Sequence, residues 1–304
     1  MSDDWSLNHL GMMVIDKNAL LNQLQSIGAG VSVGPQPLLP YEKGLGELMY
    51  FQTLKGNPLT HQYQTGGPHN FRDGNSQIGD CQLEVYPMKP GPGMFISEYL
   101  KTKGPGINHI AFNTPDIDRD TKRFLENGCD LVFNATVNGK TTENYLDTRE
   151  HGDVMISLRP PADEWEIAWR ENNKSHPLVK DWNFLGVGVV VEDCKLASQY
   201  FSNLGFSIEK EVYQSHDLGI KFCHVRVGSM MFEFIEPTRD SGVYREYLNN
   251  RGEGIADMSF TVKDLESETQ SLVKKGADLL ISTNEYSLVD VRKEGNMMFR
   301  LSNL

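Results

Sequence analysis

A chain of 304 residues, 39% hydrophobic and 23% charged, has the make-up of a folded globule with room for one large core or two ordinary domains, and this excludes a disordered polymer. A net charge of −12 excludes a surface built to grip phosphate backbones, which needs concentrated Lys and Arg, and no run approaches the roughly 18 to 20 apolar residues that cross a bilayer. The N-terminal MSDDWSLNHLG is neither basic nor apolar in the manner of a secretion signal, and Cys81, Cys129, Cys194 and Cys223 form no C-x-x-C pair, so a cytoplasmic protein with reduced thiols is expected.

In chain order, LNHLGMMVID predicts a strand and an aspartate turn, NALLNQLQSIG a helix ending at glycine, and ELMYFQT and CQLEVYP two further strands. Between those strands lies LKGNPLTHQYQTGGPHNFRDGNSQIGD, expected as an inserted loop over residues 54–80. The same plan then recurs. Ile107 to Asn113 alternates as a strand, Pro115 and Asp116 open a helix, and Gly128 closes it.

A larger repeat overlies this one. EYLKTKGPGINHIAF, from Glu98, falls on EYLNNRGEGIADMSF, from Glu246, without a gap, and DIDRDTKRFLENGCDLVF continues onto DLESETQSLVKKGADLLI. NHLGMMVID at Asn8 lines up with NFLGVGVVVED at Asn183, which sets His9 against Phe184. The expected fold is therefore α+β, with four βαβββ units in two tandem domains over residues 1–160 and 183–304. The polar PPADEWEIAWRENNKSHPLVKDW supplies a linker over 161–182.

Because strand side chains alternate, His9 shares a face with Gly11 and Met13, and His109 shares one with Ala111 and Asn113. Leu10, Met12, Val14, Ile110 and Phe112 point the other way, toward a helix-packed core. In LEVYP, Gln82, Glu84 and Tyr86 share a face.

LNHLGMMV, GPQPLLP, GLGELMYF, LEVYP and FISEYLKTKGPGINHIAF resemble the vicinal oxygen chelate superfamily of glyoxalases, epimerases, fosfomycin resistance proteins and extradiol dioxygenases. The likeness of residues 7–133 is to methylmalonyl-CoA epimerase. It implies that paired units curl into a cup with a divalent metal at its base, held here by His9, Glu84 and His109. A fourth ligand position falls on Ser157 or close to it, where the family has Glu. The expected cofactor is Fe, Mn, Co, Ni or Zn.

The resemblance also sets Glu47 where the epimerases carry a proton-moving glutamate, and it marks 54–80 as an insertion that compact epimerases lack. In that insertion His61, His69 and Arg72 are candidate substrate-binding residues; GGPHNFRDG is no phosphate grip, since no GK[ST] follows. The implied function is a metal-dependent isomerase or epimerase that moves a proton next to the metal-chelated carbonyl of a small oxygen-rich metabolite. The alternatives are an extradiol-type or other Fe(II) dioxygenase and a non-catalytic small-molecule binder. Beyond the substrate, a homodimer is the only partnership considered; neither nucleic acid nor membrane is expected.

The second half aligns Glu233, Asp257 and Arg300 with the ligand positions and has neither histidine. An arginine fork bonds two carboxylate oxygens where a cation would otherwise sit. Arg300 is therefore expected to pair with Asp257, Glu233 or both, in a second cup without metal.

Overall fold

The computed structural model describes residues 4–33, 48–52, 61–65, 75–87, 95–137, 139–216 and 218–304. The first half runs β1 (Ser6–Val14), α1 (Lys17–Ser26), β2 (Val31–Val33), β3 (Leu48–Gln52), β4 (His61–Thr65), β5 (Asn75–Ile78), β6 (Cys81–Pro87), α2 (Phe95–Lys103), β7 (Gly106–Asn113), α3 (Ile117–Glu126), β8 (Leu131–Val137), β9 (Lys140–Leu146) and β10 (Met155–Arg159). After α4 (Glu164–Lys174), the second half runs β11 (Asn183–Val190), α5 (Cys194–Asn203), β12 (Ser207–Ser215), β13 (Ile220–Val227), β14 (Met230–Pro237), α6 (Val243–Arg251), β15 (Gly254–Val262), α7 (Leu265–Lys274), β16 (Asp278–Ser282), β17 (Tyr286–Asp290), α8 (Arg292–Gly295) and β18 (Met298–Asn303).

One local device builds all four units. Asp16, Asp116, Asp193 and Asp264 each stand in front of a helix, with the side chain accepting a backbone N–H of its first turn. Each helix is then stopped two residues beyond its last turn by Gly28, Gly128, Gly205 or Gly276, at φ of +72°, +86°, +96° and +98°. Those left-handed angles cost a side-chain-bearing residue energy that glycine avoids.

Each half forms one mixed sheet. The first sheet has the order β2-β5-β6-β1-β7-β10-β9-β8-β3-β4 and the second β12-β13-β14-β11-β15-β18-β17-β16. The first strands of paired units, β1 with β7 and β11 with β15, run antiparallel down the middle and carry a parallel partner on the outer side. The expected α+β architecture of four βαβββ units is present.

Three expectations need correction. The segment 54–80 is not a plain loop, since it holds β4 and also β5, which pairs with β2 and β6 as the third strand of its unit. The strand in ELMYFQT is instead β3, which pairs with β4 and with β8 at the other end of the sheet. The inserted material therefore begins after β2 and contributes a hairpin to the neighbouring unit. A β-rich sequence cannot show which sheet edge a hairpin will join, because the alternation is the same at either.

Next, the stretch 161–182 is not merely a linker: it contains α4. Finally, the Asn8–Asn183 alignment is two residues out. His9 faces Ala111 across β1 and β7, and in the second sheet Gly186 faces Ser259, so the counterpart of His9 is Gly186 and not Phe184. A two-residue slip keeps the inward and outward faces, so the hydrophobic pattern could not detect it.

The apolar faces of both sheets and their helices meet in one continuous core that includes Leu10, Met12, Phe112, Phe124, Phe201, Phe232, Phe260 and Phe299, each under 2% exposed. Trp5 packs against Phe112 of its own half, tilted, and edge-on against Phe206 of the other, both at 5.7 Å. Its counterpart Trp182 packs on Phe260 at 5.5 Å while its carbonyl accepts the N–H of Asp80, in the first half. Fully buried apolar side chains contribute about 1.5–3 kcal/mol each. The largest share of the apolar burial thus lies on this side of the sheets, while the opposite faces carry smaller clusters, such as Val190, Ile235, Leu288 and Met298, together with the buried polar groups.

Candidate functional site

On the other side of the first sheet, His9 from β1, Glu84 from β6 and His109 from β7 come together. His9 Nε2 lies 2.8 Å from Glu84 Oε2 and 3.3 Å from His109 Nε2. All three residues are buried, His109 completely. Gly11 makes the meeting possible: a Cβ there would stand 1.7 Å from Cε1 of His109, so only glycine lets that ring lie across β1.

Each histidine is oriented by the asparagine before it. His9 Nδ1 contacts Asn8 Oδ1 and His109 Nδ1 contacts Asn108 Oδ1, both at 2.7 Å. Asn8 Oδ1 also accepts from Arg170, and Asn8 Nδ2 donates to Asn113 and Glu166, so the amide's oxygen is the end that faces the ring. An acceptor at Nδ1 requires a proton there. With Nδ1 so engaged, His9 turns Nε2 toward the carboxylate of Glu84 and toward the second imidazole. Burial and the neighbouring His9 hold the His109 pKa well below the ordinary histidine value, which keeps that ring neutral.

Donor atoms converging at these distances repel unless a proton or a metal ion stands among them. Metal bonds of about 2.0–2.2 Å place adjacent donors about 3 to 3.5 Å apart, near the separations seen here. Among the described residues, no set of three or more His, Cys, Asp or Glu side chains stands as a ready-made metal cage. The fit of an ion rests on the donor chemistry: two imidazoles aimed through Nε2, one carboxylate, and fixed tautomers.

Around this trio the structure adds groups that sequence reasoning did not find. Tyr145 on β9 brings its hydroxyl to 3.2 Å from His109 Nε2. Ser157, on the strand of the fourth ligand position, donates to Glu143 Oε1 at 2.7 Å. The register confirms the equivalence, since Met155 and Ser157 face His109 and Ala111 as Met298 and Arg300 face Asp257 and Ser259. A carboxylate is thus present beside the expected place, delivered from β9 through a small serine. The repeated Asn-His dipeptide at 8–9 and 108–109 was the available signal for the orienting asparagines; no local pattern marked Glu143 or Tyr145.

Glu47, His69 and Arg72 lie outside the described residues. His61 opens β4, the outermost strand of the first sheet.

The second cup has another polar cluster at matching positions. Arg300 bonds Glu233 Oε1 through one terminal nitrogen, and its Nε lies 3.5 Å from Asp257 Oδ1 and donates to Ser259 Oγ at 2.9 Å. Asp257 also accepts from Tyr244, and Glu233 Oε2 lies 2.7 Å from His224 Nε2. The arginine pairing expected from sequence is present, with His224 of β13 as an unforeseen member. Burial alone would raise Glu233, but Arg300 and His224 outweigh it and hold its pKa at about 2; for Asp257 burial prevails and the pKa is raised. At the His9 counterpart no ligand side chain could stand, because a Cβ on Gly186 would lie 1.9 Å from the carbonyl oxygen of Met231.

Residues 186–287 match the profile of the glyoxalase/bleomycin resistance protein/dioxygenase superfamily. The chain has the vicinal oxygen chelate fold. In structure it is similar over 98% of its length to a variant of 4-hydroxymandelate synthase from Streptomyces coelicolor, with a TM-score of 0.66, 14% identity and 92% of that chain covered. Methylmalonyl-CoA epimerase from Mycobacterium tuberculosis matches 40% of the chain and 87% of its own, at 22% identity and a TM-score of 0.35. No curated protein matches the chain in sequence. At 14% identity the full-length likeness describes the fold and leaves the chemistry to the residues in the cups.

Proposed function

We propose that the first cup holds a divalent ion on His9, Glu84 and His109, and that the protein is a metal-dependent isomerase or epimerase. Its substrate would be a small oxygen-rich metabolite that binds through neighbouring oxygens. The observation that carries the metal is the convergence of two imidazole Nε2 atoms, whose Nδ1 partners are already engaged, with one carboxylate. When bound, the ion supplies Lewis-acid stabilisation of negative charge that develops on a chelated carbonyl oxygen.

The chain's own residues do the rest. Asn8 and Asn108 fix the ring orientations, and Tyr145 places a hydroxyl beside His109 to orient a substrate oxygen or donate a proton to it. Glu143 is the described carboxylate next to Ser157, placed to move a proton adjacent to the carbonyl; Glu47, by its resemblance to the epimerase base, is the candidate for the opposite side. A second reading, an Fe(II)-dependent oxygenase, is favoured by the donor set itself, since two histidines and one carboxylate are the facial arrangement such enzymes use.

The test starts with Mn(II), Co(II), Fe(II), Ni(II) and Zn(II) binding to the purified chain, where one equivalent is expected in wild type and none in His109→Ala. The loaded protein is then incubated without dioxygen, in deuterated water, with a panel of 2-substituted 3-oxoacid and 2-hydroxyketone compounds. Proton–deuterium exchange next to the carbonyl supports the isomerase. Turnover that needs dioxygen and Fe(II) supports the second reading, and absence of stoichiometric metal refutes both.

A further inference from the structure

The helix between the two halves reaches into the first cup. Glu166 and Arg170 lie one turn apart on α4 and pair at 2.9 Å. From there Arg170 NH1 donates to the backbone carbonyl of Asn8 and to Gln82 Oε1, both at 2.5 Å, and NH2 donates to Asn8 Oδ1 at 2.6 Å. Glu166 Oε1 accepts from Asn8 Nδ2 at 2.9 Å, so the Asn8 amide is held from both ends. Asn8 Oδ1 meets His9 Nδ1, and Gln82 lies two residues before Glu84 on β6, on the same face.

A single guanidinium thus grips both strands that deliver His9 and Glu84 and decides which end of Asn8 faces the imidazole. Arg170 is mostly buried, with a side chain 18% exposed, and its planar fork matches these acceptors in a way an ammonium cannot. We infer that Arg170, supported by Glu166, is a positioning residue for the candidate metal centre: it locks His9 with Nδ1 protonated and Nε2 aimed at the ion, making α4 part of the site. This rests on the reading of the first cup as a metal site. It adds that the ion's affinity is set partly by a residue that never touches it.

The experiment uses the full chain with Arg170→Leu, Arg170→Lys and Asn8→Ala. Two quantities are read: Co(II) affinity from its visible spectrum, and the downfield Nδ1 proton signal of His9 by NMR in metal-free protein. Loss of an outer hydrogen-bonding partner typically weakens metal binding about 10- to 100-fold. Arg170→Leu and Asn8→Ala are each expected to do so, to lose or broaden the Nδ1 signal, and in combination to cost little more than either alone; Arg170→Lys should recover only part. A folded Arg170→Leu protein with unchanged affinity and an unchanged Nδ1 signal overturns the inference. Should Arg170→Leu not fold, Asn8→Ala reads the same link with the Arg170–Glu166 pair left in place. Should wild type bind no Co(II), the metal reading fails by itself, and the Nδ1 signal still decides whether Arg170 sets the orientation of His9.

Discussion

Replacing Arg300 by leucine removes the guanidinium that faces Glu233 and Asp257, both of them buried. Removing one partner of a buried ion pair costs about 3–5 kcal/mol, because the other charge stays behind without compensation. His224 still contacts Glu233, and Tyr244 and Ser259 still donate to Asp257, which favours the low end, about 3 kcal/mol. For a unit of this size that is a fall in melting temperature of roughly 10 °C. The assay is thermal and urea unfolding of wild type and Arg300→Leu between pH 5 and 8. The deficit should shrink toward the acid end, where the stranded carboxylates take up protons, and Glu233→Gln with Asp257→Asn in the leucine background should recover most of it. The variant also leaves His224, Glu233 and Asp257 around an uncompensated space, so Zn(II) should restabilise it. A leucine variant within about 0.5 kcal/mol of wild type at pH 7, the range of an inconsequential surface change, would refute the view that Arg300 is an internal counter-ion.

His109→Ala should abolish metal binding while the unfolding free energy falls by only about 1–2 kcal/mol, since the helix-side core is untouched; isothermal titration and urea unfolding measure both. Gly11→Ala should displace the His109 ring from β1 and weaken metal binding as much as losing the ligand, because the new Cβ would fall 1.7 Å from Cε1; the same titration checks it. In acid, the folded Glu233 pKa of about 2 lies below its unfolded value of about 4.5, so its contribution of about 3 kcal/mol is present above pH 4.5 and lost as pH falls toward 2. Asp257 is raised and works in the opposite sense, so Asp257→Asn should steepen the acid loss, as unfolding midpoints against pH will show.

Much of the architecture was legible because the unit repeats its punctuation. Asp16, Asp116, Asp193 and Asp264 open helices that Gly28, Gly128, Gly205 and Gly276 close, and the same spacing recurs four times. His9, Glu84 and His109 could be proposed together because the family resemblance set them at ligand positions, with strand parity placing both histidines on the small-residue faces of their strands. Other features depend on contacts between residues far apart in the chain. Ser157 was visible as a departure, but not that Glu143 would fill in from the adjacent strand; α4 reads locally as a polar helix, and only its packing shows Arg170 against Asn8 and Gln82. The two-residue slip leaves every apolar position on its proper face, but the Asp16–Asp193 and Gly28–Gly205 spacing, 177 in each case, carries the right offset, and the pairing of Gly186 with Ser259 agrees with it.

The two cups solve one electrostatic problem in two ways. Both carry a carboxylate on the strand parallel to the first, Glu84 or Glu233, and both leave a glycine, Gly11 or Gly188, under the side chain of the adjoining strand. In the second cup that side chain is Asp257, so two carboxylates meet, and a fixed cation from β18 balances them with no coordination position left open. In the first cup it is His109, and Ser157 stands where the arginine would be. The cation on that strand is Arg159, two residues beyond Ser157 at the end of β10, so the position that matches Arg300 carries no charge of its own. Leaving that position to a serine admits the carboxylate of Glu143 from β9 beside it. The exchange of one residue type between twin units, His109 against Asp257, therefore separates a cup that can turn its charge on a ligand from one that satisfies its charge internally.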